Sequence, residues 1–139
     1  MSVEHNKLAA IEAFRLIETS NTAAAERVIA ADFINREAQD NSNQRERNLP
    51  GPAGFLATGR WLCSAFSDLR FTDMEAIGED DRVVVIATMT GRHTGDFLGV
   101  PATGKPIHQR QFHLFRFRAG KIVEHVAQRD DLGLRRQIG

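Results

Sequence analysis

Apolar residues recur every three or four positions over the first half of the chain. Beyond residue 69 that interval gives way to alternation and to continuous apolar runs. Leu8, Ile11, Phe14 and Ile17 come at every third residue, with Glu12, Arg15 and Glu18 between them, and this predicts a first helix with one apolar stripe. Asn21 and Thr22 offer capping oxygens ahead of "AAAERVIAA", which predicts a short second helix. "DFINRE" then reads as a brief strand, and residues 38 to 52, "AQDNSNQRERNLPGP", as a polar surface loop. From Ala53 onward, Phe55, Gly59, Leu62, Phe66 and Leu69 step by four, three, four and three, the pattern of a third amphipathic helix closing around residue 68.

After that helix the period changes. "LRFTDMEAI" alternates weakly, Gly78 to Asp81 forms a turn, and "RVVVIATMTGRH" is rich in β-branched residues and apolar on both faces. Residues 107 to 118 and 121 to 129 follow as two more strands, joined tightly at Ala119 and Gly120. Three helices followed by a run of long strands predict an α+β domain, with the helices covering one face of a curved antiparallel sheet. A sheet wrapped around helices makes a cone with an apolar interior open at one end, a shape that commonly holds small molecules.

Length and composition narrow the picture. A chain of 139 residues that is 42% hydrophobic has one sizeable core and no room for a second, so residues 1 to 139 are expected to form a single domain. Eighteen basic residues balance eighteen acidic ones, which gives no overall field to favour nucleic acid or an anionic membrane. The longest strictly apolar run, Val83 to Ala87, falls far short of the roughly 20 residues of a spanning helix. No signal-peptide apolar region is seen at the N-terminus, so a soluble, cytoplasmic protein is expected. The lone Cys63 excludes an internal disulfide or a thiolate cluster and is expected as a small core residue on the third helix. Because "RVVVIATM" is apolar on both faces, the outer side of the sheet should be covered as well, which predicts a homodimer or a higher homo-oligomer.

Several motifs suggest chemistry. "GVPATGKP", residues 99 to 106, has the glycine and lysine spacing of a phosphate-binding loop, but Pro106 stands where Ser or Thr would hold magnesium, and a strand rather than a helix follows. Turn chemistry in a long hairpin connection explains it better. His93, His108, His113 and His125 lie on predicted strands without paired metal-ligand spacing; His108 and His113, five apart, point to opposite faces of one strand. No GxSxG elbow is present to support a serine nucleophile. The polar residues His93, Gln109, Gln111, His113 and Arg116 sit among apolar strand positions, where they would line either a solvated face or a pocket. At the end of the last strand Asp130 and Asp131 precede Leu-Gly-Leu. An aspartate there either caps the terminal turn or faces a cavity and moves protons, and spacing alone leaves both readings open.

"MTGRHTGDFLGVPATGKPI" followed by "FHLFRFRAGKIVEHVAQRDDLGLRRQIG" resembles the SnoaL-like polyketide cyclase family. The family motif pieces appear here in order: the His-Thr-Gly-x-Phe-x-Gly-x-x-x-Thr-Gly-Lys loop, the Phe-Arg strand, the Gly-Lys-Ile-x-Glu turn and the Asp-x-Leu-Gly-Leu tail. The match is dense from "AFSDLRF" to the C-terminus and weaker before it. The resemblance implies the NTF2-like cone and a cofactor-independent, metal-free intramolecular aldol closure of an aromatic polyketide ester, with a hydrophobic aromatic small molecule as substrate. It also implies a cavity acid at Asp130, served by His93, Gln111, His113 and Arg116 as orienting or enolate-stabilising groups. Trp61, Phe33, Phe55 and Phe112 are the expected aromatic wall. Val126 stands where family members often carry Trp, and Asn35 and Arg36 where they often carry His; Asn35 is therefore a candidate pocket residue at which substrate shape would differ. The same family includes relatives linked to hydroxylation of anthracycline-type carbons, which is the alternative activity; a small-molecule binding domain without turnover is the non-enzymatic one.

Overall fold

The computed structural model describes residues 2–36 and 49–139, so most of the predicted 38 to 52 loop lies outside the described residues. In chain order come α1 (Val3–Thr19), α2 (Thr22–Val28), β1 (Ile29–Asn35), α3 (Gly51–Ala65), β2 (Phe66–Glu79), β3 (Arg82–His93), β4 (Pro106–Arg118), β5 (Lys121–Arg129) and α4 (Asp131–Ile138). The strands form one sheet in the order β1-β5-β4-β3-β2. The last four strands make the expected antiparallel meander, and β1 joins it in parallel beside β5.

Local sequence explains where the helices begin. Ser2 accepts the His5 N–H at the start of α1, and Asn21 accepts the Ala24 N–H at the start of α2, so each cap satisfies a donor that the helix itself leaves unpaired. The face that α1 buries differs from the predicted stripe, for it carries Asn6, Ala10, Ala13, Phe14 and Leu16, while Leu8 is 74% exposed. The cause is the mismatch between a period of three and a turn of 3.6 residues. Each step of three falls about 60° short of a full turn, so residues 8 and 17 end up on roughly opposite sides. Against α1 packs α3, and the crossing is close at Gly59, where a Cβ would stand 3.2 Å from the Ile17 Cα. The third helix ends at Ala65, a few residues earlier than predicted, and Phe66 already belongs to β2. Cys63 lies on α3 but at its exposed side, not in the core.

Sheet curvature has a local origin. The β2–β3 register shifts between Ser67 and Arg70 and again between Thr72 and Glu75. Inside these two bulges Asp68 and Asp73 take left-handed conformations, with φ of 53° and 52°. Bulges of this kind bend a strand and increase its twist, and aspartate tolerates the left-handed region better than most residues. The bent sheet presents its concave face to α1 and α3. Phe14, Phe71 and Phe115 meet there, with ring centroids 5.0 Å and 5.8 Å from Phe14.

The C-terminal residues form a fourth helix where a turn was expected. Asp130 is its N-cap, with the carboxylate accepting the Gly133 N–H at 2.8 Å. A Cβ on Gly133 would fall 2.1 Å from the Asp130 Oδ2, so glycine at this position is what lets the cap close. Leu134 and Ile138 then bury their side chains. Removing the cap with Asp130→Ala is expected to cost about 1 kcal/mol of unfolding free energy, readable by urea denaturation. An unchanged midpoint would mean that the hydrogen bond contributes nothing net.

Candidate active site

Strand alternation sets the site. On β4 the odd-numbered residues 107 to 117 point inward, which puts Gln109, Gln111, His113 and Phe115 on the concave face. Backbone register then brings their partners alongside, Arg129 opposite Gln111, Ala127 opposite His113, His125 opposite Phe115, and Asn35 of β1 opposite His125. Above this face lies a recess, partly enclosed and open at its mouth. The α1 and α3 wall supplies Ala13, Phe14, Ile17, Phe55, Thr58, Trp61 and Leu62, while Phe71 and Phe115 rise from the sheet. One side is therefore aromatic and aliphatic, and the floor carries a strip of polar groups: Asn35, Gln111, His113, His125 and Arg129.

These polar groups form a continuous chain. Gln109 Nε2 lies 3.2 Å from Asp131 Oδ1, Gln111 Nε2 2.8 Å from Gln109 Oε1, and His113 Nε2 2.7 Å from Gln111 Oε1. His113 Nδ1 sits 2.8 Å from His125 Nε2, and His125 Nδ1 is 3.2 Å from Asn35 Oδ1. The two imidazoles lie nearly parallel, with centroids 5.1 Å apart, and Phe14 sets its edge against His113 at 4.9 Å. The small side chain of Ala127, directly opposite His113, leaves the diagonal open for this ring pair.

Electrostatics keep the pair neutral. Burial, and after it the positive charge of Arg129, pushes the His125 imidazole down to about 3. Burial likewise holds His113 well below the usual histidine range, with His125 and Arg129 adding to the effect. Near neutral pH the recess thus contains two uncharged imidazoles and a guanidinium. No carboxylate lines it among the described residues. Nor does any group of three His, Cys, Asp or Glu side chains converge there as a metal would need, again among the described residues.

Of the residues singled out from the sequence, Asn35, Phe55, Trp61, Gln111 and His113 come together in this recess. The others lie elsewhere. Asp130, expected in the apolar interior, is exposed and holds the start of α4. Phe112 and Arg116 are even-numbered β4 residues and so face outward; Phe112 is 50% exposed, and Arg116 lies 3.8 Å from Glu124 on the outer surface. Phe33 is buried one layer away, with its ring against Phe55 at 5.8 Å. His93 is fully buried at the far end of β3, where Nδ1 accepts the Thr103 N–H and the ring packs on Phe66. The "GVPATGKP" segment that supplies Thr103 is a β3–β4 connection, in keeping with turn chemistry.

Sequence reasoning missed His125 and Arg129. Both share the parity of the inward β5 positions, so correct alternation on the last strand would have found them.

The SnoaL-like polyketide cyclase model matches residues 8–138. This chain belongs to that family. The SnoaL-like chain is 38% identical over 130 residues to the aklanonic acid methyl ester cyclase DauD of Streptomyces sp. (strain C5), a match covering 90% of this chain and 78% of that protein. To the aklanonic acid methyl ester cyclase DnrD of Streptomyces peucetius it is 37% identical, with 90% and 86% of the two chains covered. Among solved structures, TsrD from Streptomyces laurentii superposes with a TM-score of 0.85 over 100% of this chain and 98% of its own, at 22% identity. That likeness shows the fold alone, helices against one face of a bent sheet, which agrees with the α+β cone expected from the sequence. No described helix is long and apolar enough to cross a membrane.

Proposed function

We propose that this SnoaL-like chain closes a ring in an aromatic polyketide ester by an intramolecular aldol reaction, with imidazole as the acid/base group. The observation that carries the reading is the polar strip of His113, His125, Gln111, Asn35 and Arg129 along one wall of an otherwise aromatic recess. The relatives named ester cyclases support the same reaction class. An aldol closure needs a base for an activated C–H, a fixed charge or donor for the enolate oxygen and an acid for the new alkoxide. His113 and His125 supply proton transfer, the Arg129 guanidinium stabilises the oxygen on which charge develops, and Gln111 holds His113 in place. Phe14, Phe55 and Trp61 provide flat surface for a planar ring system.

The test is mass spectrometry of the protein with a panel of aromatic polyketide methyl esters, in air and without oxygen. A product of unchanged mass, formed equally without oxygen, is expected. Oxygen-dependent gain of one oxygen atom would replace the cyclase with a hydroxylase, and no turnover with either atmosphere would favour a binding domain. A homodimer is part of the same proposal, supported by the outer sheet face, where Ile77 is 55% and Phe112 50% exposed. A monomer by light scattering at micromolar concentration would overturn it.

A further inference from the structure

Along α3 the recess ends at Trp61, and what holds Trp61 there lies outside the recess. The α3 lining runs from Phe55 through Thr58 to Trp61 and Leu62, about two turns of helix. At its end the Trp61 ring meets Phe97, with centroids 5.3 Å apart and planes tilted by 33°, and Phe97 in turn meets Phe66 at 4.9 Å. Phe97 is buried yet is not among the residues that line the recess. It lines a second hollow, between the β3–β4 connection and α4, to which Leu98, Leu134 and Ile138 add apolar surface. The two rings are therefore a partition, with the recess on the Trp61 side and the second hollow on the Phe97 side.

Backbone contacts pin Phe97 in this place. Thr94 and Gly95 donate their N–H groups to the Ala65 carbonyl oxygen at 3.1 Å and 3.0 Å, which ties the connection to the C-terminal end of α3, one turn beyond Trp61. A Cβ at residue 95 would stand 2.0 Å from the Ser64 carbonyl oxygen, so glycine is what permits the approach. Phe97 and Val100 then exchange two backbone hydrogen bonds, at 3.0 Å and 2.9 Å, around a turn in which Leu98 and Gly99 have φ of 47° and 81°. Such a turn is tight, and a leucine takes the left-handed region only where the surrounding structure imposes it. The far end of the connection is held by the Gly104 N–H donated to the His93 carbonyl oxygen at 2.7 Å and the His93 N–H donated to that of Lys105 at 2.8 Å.

We propose that Phe97 sets the length of the ring system that the recess admits, as a positioning residue that holds Trp61 as its end wall. This rests on the reading of the recess as the substrate site. A planar ligand lying against Phe55 and Trp61 gains apolar contact with each added ring until its edge reaches the wall. The next ring must displace Trp61, and close packing leaves the indole no room while Phe97 fills the space behind it. With a small side chain at position 97, Trp61 has room to move toward the second hollow, and the recess lengthens by the space that the indole vacates. Because Phe97 does not line the recess, its loss removes no group from the polar floor.

Trp61 itself provides the readout. It is the one tryptophan of the chain, and tyrosine is absent, so the intrinsic fluorescence reports this wall alone. Hydroxylated linear quinones of two to five fused rings, titrated into wild type, Phe97→Leu and Phe97→Ala, test the proposal through quenching of that emission. In wild type the affinity should rise with ring count up to a limit and fall beyond it. Phe97→Ala should move the limit outward by at least one ring, so that the first quinone too long for wild type binds at least about tenfold more tightly, the effect of burying one further ring. Phe97→Leu should shift it less in the same direction, and it carries the test where the alanine variant does not fold. The same limit in all three proteins, or a loss of affinity by one factor for every quinone, would make Phe97 a packing residue only and overturn the proposal. Absence of quenching by any quinone in wild type would overturn the reading of the recess as an aromatic substrate site. A shifted limit in a protein that turns over no ester would overturn the cyclase and leave the wall in place.

Discussion

Replacing His125 with Gln is expected to lower kcat by about 10²- to 10⁴-fold, the usual contribution of a positioned general base, while the protein stays folded. The substitution removes one property and retains another. A Gln amide at position 125 still donates toward His113 Nδ1 and accepts from Asn35, so no buried polar group is left without a partner and the large penalty of an orphaned donor is avoided. It holds no proton. Asp130→Asn provides the contrast, because Asn caps a helix about as well as Asp and the side chain is exposed at the start of α4. Its turnover should equal that of wild type. Steady-state rates of ring closure for the two variants therefore separate imidazole from carboxylate chemistry. Undiminished turnover in His125→Gln would move the base elsewhere, and a collapse in Asp130→Asn would bring the carboxylate back into the mechanism.

The contrast between those two residues also shows how far periodicity leads. The change from helical spacing to β-branched runs located four of the five strands and the layer order, because strands with an apolar face and helices with an apolar stripe have few ways to bury both. Periodicity did not give the side of each strand without the register. Phe112 and Arg116 are flanked by the same kind of residues as Gln111 and His113, and only parity relative to the bent sheet sends one pair outward and the other into the recess. Asp130 posed a different problem. A capping aspartate and a catalytic one look alike in sequence, and the distinction lies in Gly133, whose missing Cβ makes room for the carboxylate. His125 was hidden by its surroundings, since "EHVAQ" reads as an ordinary strand until Asn35 arrives from a parallel strand 90 residues earlier in the chain. Such long-range partnership, rather than any local signal, is what makes the imidazole pair.

The same pair should make the protein sensitive to acid. In the unfolded chain both histidines titrate near 6.5, whereas in the folded protein His125 is pushed down to about 3 and His113 well below its usual range. Below pH 6.5 the unfolded state therefore binds more protons than the folded one, and stability falls as pH falls until the folded-state values are reached. Each histidine contributes a slope of roughly 1.4 kcal/mol per pH unit in that window, so two pH units of acidification remove about 5 kcal/mol, a loss as large as the whole stability of many domains. Urea unfolding of wild type and of the double variant His113→Gln/His125→Gln, at steps from neutral pH to about pH 4, isolates this component from that of the carboxylates. The double variant is expected to lose stability with a slope shallower by up to about 3 kcal/mol per pH unit, a difference that grows as pH falls through 6.5 and reaches its full size in the lower part of the range, where the unfolded-state imidazoles are fully protonated. Parallel curves would mean that the buried imidazoles accept protons as readily folded as unfolded, which their apolar walls and the nearby Arg129 charge oppose. Low proton affinity keeps both imidazoles neutral in the empty recess at pH 7 and by itself makes them weak bases; the negative charge that develops on a bound substrate as a proton moves is what offsets that penalty and makes the imidazolium tolerable beside Arg129.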